Sequence, residues 1–104
     1  MKAELLLKRR VILGKSVFAE LVLWRVPRLV PGSLHNFKYR LALVSDGICV
    51  MRYDNEAGKG DHCHHGTTEL SYDFKDVDKL LKDFEHDVQR WLAENSHSKG
   101  RQPE

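Results

Sequence analysis

Residues 37–55, FKYRLALVSDGICVMRYDN, constrain the fold more than any other stretch of this 104-residue chain. Two runs rich in aliphatic, aromatic and β-branched residues flank Asp46-Gly47. Asp46-Gly47 is the strongest short hairpin signal in the chain. An antiparallel hairpin follows. Paired outward from the turn, Leu43 faces Val50, Leu41 faces Arg52 and Tyr39 faces Asp54 on one side of the ribbon. Val44 meets Cys49, Ala42 meets Met51 and Arg40 meets Tyr53 on the other. Both sides are apolar near the turn and polar at the far end, so any chemistry belongs at the far end.

A second hairpin precedes it. ELLLKRRVIL and SVFAELVLWR flank Gly14-Lys15, and glycine at the first central position suits a two-residue type II′ turn. That turn sets Val11 opposite Phe18, Leu7 opposite Val22 and Leu5 opposite Trp24. Arg9 then meets Glu20 as a charge pair that fixes register more than it stabilises. Between the hairpins, VPRLVPGSLHN carries Pro27, Pro31 and Gly32, which exclude regular structure.

Further along, Val77, Leu80, Leu81, Phe84, Val88, Trp91 and Leu92 recur at helical spacing. Asp78, Lys79, Lys82, Asp83, Glu85 and Asp87 fill the positions between. Asp73 is the expected N-cap with Asp76 at the third position, and Tyr72 is placed to staple onto Val77. The expected fold is α+β: a four-stranded antiparallel meander sheet with one C-terminal amphipathic helix packed on it. Residues 1–94 form the domain, and residues 95–104, NSHSKGRQPE, a flexible tail.

A chain of this length holds one hydrophobic core and not two. Its 41% hydrophobic and 31% charged residues fit a globular protein rather than a disordered one. No apolar run approaches the ~18 residues that a membrane-spanning helix needs, so no membrane is expected. Met-Lys-Ala-Glu and the short apolar triplet after it lack the layout of a signal peptide. Two cysteines, Cys49 and Cys63, make no disulfide framework, and a cytoplasmic location is the expectation. The net charge of +2 hides an imbalance: residues 1–52 carry ten Lys/Arg against three Asp/Glu, and residues 53–95 five against eleven. One basic surface facing an anionic partner accounts for this; so do two halves that neutralise each other.

The stretch after the hairpin, MRYDNEAGKGDHCHHG, holds most of the chemistry. AGKGD lacks the spacing of a phosphate-binding P-loop, and no helix follows it. A structural zinc site uses two separated ligand pairs, whereas His62, Cys63, His64 and His65 are consecutive and cannot converge on one tetrahedral ion. A catalytic metal held by two of these histidines and a carboxylate stays open as the lesser reading; the expectation is no metal and no cofactor. Acid–base chemistry fits better, because two imidazoles titrating near neutrality can take and donate a proton. Alternation in an extended segment puts His62 and His64 on one side and His65 on the other. Arg52 and Lys59 are placed to stabilise a phosphoryl group in flight. Asp54, Glu56 and Asp61 are candidates to orient a histidine or accept a hydroxyl proton. Metal-independent cleavage of RNA needs this set, with Tyr39, Arg40, Arg25 and Arg28 as the rim that binds it. A polar loop that merely solvates the sheet end is the bland account of the same residues.

FKYRLALVSDGICVMRYDNEAGKGDHCH, followed by an acidic amphipathic helix, resembles the TumE family of small toxins from bacterial toxin–antitoxin modules. MKAELLLKRR and WRVPRLVPGSLHNFKYR extend the resemblance over roughly residues 1–92. It implies a toxin neutralised by a helix-turn-helix antitoxin protein, and it brings no catalytic residues with it. The function expected is a toxin acting on RNA as a metal-independent ribonuclease. The alternative is a non-enzymatic inhibitor that binds nucleic acid or protein, including an autorepressor acting with its antitoxin.

Overall fold

The computed structural model describes residues 2–56 and 58–100, the last five of these by backbone alone. Six strands follow one another: β1 (Glu4–Ile12), β2 (Val17–Arg25), β3 (Phe37–Ser45), β4 (Ile48–Asp54), β5 (His62–His65) and β6 (Thr68–Ser71). They form one antiparallel meander in chain order, and among the described residues a single helix, α1 (Val77–Gly100), comes after it. The class is α+β as expected, but the sheet has six strands, not four. Each added strand is four residues long, too short to show a period. HCHH and TELS also offer none of the aliphatic alternation that marks a strand. Backbone bonds fasten them instead: Gly66 N–H donates to the Val50 carbonyl and Tyr72 N–H to the Asp61 carbonyl, each at 3.0 Å.

The Asp46-Gly47 turn forms as read, with φ of 52° and 78°. Val44 does pair with Cys49, but a bulge at Val50 then shifts the register by one, so that Leu43 faces Met51, Leu41 faces Tyr53 and Arg40 faces Asp54. The first hairpin differs at its turn. Gly14 is not among the residues with positive φ, which a type II′ turn requires there. Leu13 N–H instead donates to the Val17 carbonyl at 2.9 Å, giving a loop one residue longer. Val11 therefore faces Ala19 and Arg10, not Arg9, faces Glu20; a bulge at Leu6 restores the expected pairing of Leu5 with Trp24.

The chain divides into two compact units, Met1–Asp73 and Phe74–Glu104. In the first, one face of the sheet is apolar. Ala19, Leu43 and Met51 form one buried row across it, and Leu41, Tyr53 and Cys63 another, with Leu23 beside Tyr39. Each side chain withdrawn from water in this way contributes roughly 1.5–3 kcal/mol for the larger residues. The other face is polar. Glu20, Ala42, Arg52, His64 and Glu69 make one row on it, and Val22, Arg40, Asp54, His62 and Ser71 the next. No disulfide joins Cys49 and Cys63.

In the second unit the helix starts later than the sequence suggests. Asp76, not Asp73, caps it, its carboxylate accepting the Lys79 N–H at 2.8 Å. Leu80, Phe84 and Val88 of the expected stripe are buried. The helix also runs through residues 95–100, which were expected to be tail. No glycine or proline interrupts it before Gly100, and the Asn95 side chain donates back to the Trp91 carbonyl at 2.8 Å. Residues 101–104 of the expected tail lie outside the described residues. Among the described residues, no helix is long and apolar enough to cross a membrane.

Candidate functional site

β4 and β5 pair so that Arg52 stands opposite His64 and Asp54 opposite His62. All four side chains therefore leave the polar face together, and the two imidazoles lie with centroids 5.1 Å apart and planes at 72°. His65 points to the other face, edge-on to Tyr53. The histidines belong to a strand and not to a loop, so their separation is fixed by the sheet.

Their hydrogen bonds give them opposite characters. His62 Nδ1 lies 2.9 Å from the Gly60 carbonyl, which can only accept, so this nitrogen carries a proton. Nε2 lies 2.8 Å from Asp54 Oδ1, an approach that attracts only if Nε2 is protonated too. Within this arrangement His62 is an imidazolium facing a carboxylate. His64 Nε2, by contrast, lies 3.1 Å from Arg52 Nη2, which can only donate, so His64 is neutral there. Partial burial, and then the charge of Arg52, hold its pKa below the ordinary 6.5. Two neighbouring groups of one type held in different protonation states make an acid and a base.

Arg52 closes the cluster, its Nε lying 3.0 Å from Asp54 Oδ2. Arg52 Nε and Asp54 Oδ1 are both buried without a well-directed hydrogen bond, so Coulomb attraction rather than bond geometry holds them. Asp54 and His62 are almost fully buried, whereas the side chains of His64 and Arg52 are 24% and 31% exposed. His64 and Arg52 are thus what an incoming molecule meets. Glu69 of β6 stands at the margin, with Oε2 3.8 Å from His62 Nε2 and 3.9 Å from His64 Nε2. Lys59 holds it there at 3.1 Å, and this bond lowers the pKa of Glu69. Ligand atoms of Asp54, His62 and His64 all lie within 4.8 Å of one another, a spacing that suits a metal ion. The guanidinium of Arg52, set against two of these three residues, opposes one.

The other expected site residues fall elsewhere. Glu56 is exposed and, with Arg28 and Lys38, lines an open cleft beside residues 26–31. Arg25 pairs with Glu4 at the end of β1. Arg40 shares the polar face with Asp54. Tyr39, expected on an RNA-binding rim, is fully buried on the apolar face, so it cannot stack on a base. Its hydroxyl donates to Asp61 at 2.6 Å, and burial together with that bond pushes its pKa up.

Asp61 therefore orients Tyr39 and not the paired histidines. It also accepts from Ser33 at 2.6 Å and lies 2.8 Å from His35 Nε2. Burial works against its ionisation, yet the bonds from Ser33, Tyr39 and His35 outweigh this and hold its pKa below the usual 3.8. Buried Asn55 joins the same network through the Phe37 carbonyl and the Tyr39 N–H. The two segments approach so closely at Gly32 that a Cβ there would stand 2.5 Å from the Gly60 nitrogen. This second cluster fixes residues 58–61, and hence the Gly60 carbonyl that holds His62. Glu69 was not recognisable without β6. The partners of Asp61 were not recognisable because they lie 22–28 residues away in sequence.

A small α+β protein with a sheet-borne pair of unlike histidines beside a guanidinium has the equipment of a proton-transfer site that acts on an anion. The model of the family Toxin TumE matches residues 2–92, and the chain belongs to the TumE toxin family. It is thus a toxin of a toxin–antitoxin system, which implies an antitoxin partner. No curated protein and no solved structure matches it.

Proposed function

We propose that this toxin acts on RNA in the cytoplasm as a metal-independent ribonuclease and is neutralised by a helix-turn-helix antitoxin. The observation that carries the reading is the contrast between His62 and His64. Neutral His64, released from Arg52, takes the proton of a ribose 2′-hydroxyl as its oxygen attacks the adjacent phosphorus. As Arg52 swings out and uncovers the ring, doubly protonated His62 gives its Nε2 proton to the departing 5′ oxygen. The products are a 2′,3′-cyclic phosphate and a free 5′-hydroxyl. Arg52 turns from His64 to the phosphoryl oxygens, where charge develops, and Lys59 adds to it from the margin. Asp54 faces His62 Nε2 and keeps the ring in place.

The grouping of Asp54, His62 and His64 supports a second reading, in which these residues hold a divalent metal ion that activates the attacking group. The two differ in what a chelator does.

Expression of the chain alone in a bacterium, with total RNA recovered and its new 5′ ends mapped, tests the proposal. Growth arrest with cleaved RNA bearing 5′-hydroxyl ends is expected. Arrest with intact RNA would put in its place a non-enzymatic inhibitor or autorepressor that binds nucleic acid or protein.

A further inference from the structure

The polar face carries more than the two histidines. One row beyond Arg40, strand pairing sets Trp24 opposite Lys38, with Leu5 on the far side of the indole. The next row joins Lys8, Val22, Arg40 and Asp54, and the third joins Arg10, Glu20, Ala42 and Arg52. Residues directly opposite share a face, so Trp24, Lys38, Arg40, Arg52 and His64 all point the same way.

The charges on this face do not cancel. Glu20 is paired with Arg10, Asp54 with Arg52 and His62, and Glu69 with Lys59. Lys8, Lys38 and Arg40 make no ion pair among the described residues. Two of these, Lys38 and Arg40 on β3, lie between Trp24 and the histidines. Trp24 itself is only half-buried, although residues of the opposite face on the same strand, Ala19 and Leu23, are fully enclosed.

We infer that a single-stranded RNA crosses this face on a diagonal from Trp24, past Lys38 and Arg40, to Arg52 and His64. Trp24 stacks on a base, and Lys38 and Arg40 hold the phosphates that follow it. The path spans three strand spacings and two rows, about 14 Å across and about 14 Å along the strands. An unpaired strand fits where a duplex does not, because stacking on Trp24 needs an unstacked base and attack at His64 needs a free ribose. The inference rests on the ribonuclease reading and adds the route by which the substrate reaches it.

The test uses the full chain carrying Trp91→Phe, which leaves Trp24 as its one tryptophan, together with His64→Ala to prevent cutting. A random-sequence oligoribonucleotide is titrated while tryptophan emission is followed. Saturable quenching that weakens steeply with salt is expected. In the cleavage-competent chain, Trp24→Ala should raise the RNA concentration at half-maximal rate about ten-fold or more. Lys38→Ala with Arg40→Ala, both at the surface, should do so as well. If the unmodified chain cuts RNA while emission stays constant and both variants reach half-maximal rate at the same concentration, the path is wrong and the ribonuclease reading stands. If RNA is neither bound nor cut, both fall. Quenching by polyglutamate but not by RNA would make the face a protein-docking surface and overturn the path.

Discussion

Arg52 Nη2 lies 3.1 Å from His64 Nε2, so this imidazole offers its lone pair to a cation and stays neutral. Partial burial first, and the charge of Arg52 second, hold its pKa below 6.5. As a general base, His64 should therefore work at pH values where an ordinary histidine is already protonated. The acid limb of the pH–rate profile is predicted to lie below 6.5 and to move towards it in Arg52→Gln. The sign for stability runs the same way. A folded pKa below the unfolded one means that the unfolded chain binds more protons. This contribution is complete above 6.5 and is lost as pH falls through the lower folded value.

His62 and His64 should fail differently. His62 is buried between the Gly60 carbonyl and Asp54, so His62→Ala leaves that carbonyl without its donor and Asp54 with Arg52 as its remaining cation. A loss of about 1–3 kcal/mol is expected in denaturant unfolding. His64 is the more exposed of the pair, and His64→Ala should leave the unfolding midpoint nearly unchanged while abolishing toxicity. Equal destabilisation by the two changes would contradict the burial described.

The Asp61 cluster gives a third expectation. Gly32 has φ of 85°, and a Cβ there would also meet the Gly58 carbonyl oxygen at 2.7 Å. Gly32→Ala should cost on the order of 1–3 kcal/mol or more. It should also reduce the cleavage rate, because residues 58–60 must move and the Gly60 carbonyl with them. Asp61 itself, held below 3.8, contributes stability that is complete above that pH and lost as pH falls through its lower folded value. Asp61→Asn should remove that part of the acid sensitivity, as read from melting temperature against pH.

Much of this was legible in the chain, and the misses have physical causes. Asp46-Gly47 specified its turn, and alternation alone put His62 and His64 on one side. A bulge is a single unpaired residue set by packing, with no sequence signature of its own. The one at Val50 exchanged Tyr39 and Arg40 between the faces relative to Arg52 and Asp54. That is why Tyr39, expected beside the site, is in the core, and Arg40 stands where Tyr39 was placed. β5 and β6 were invisible because polar four-residue strands carry no period. Glu69 was lost with them.

The most direct measurement is single-turnover cleavage of labelled RNA by the purified full chain in excess chelator, compared with a His64→Ala chain of the same fold. The account predicts that the unmodified chain cuts under chelator and leaves 2′,3′-cyclic phosphate ends. The His64→Ala chain should be slower by about 100-fold or more. Cutting that stops in chelator and returns with a divalent cation would contradict it and make Asp54, His62 and His64 metal ligands; so would a His64→Ala chain that cuts as fast as the unmodified one.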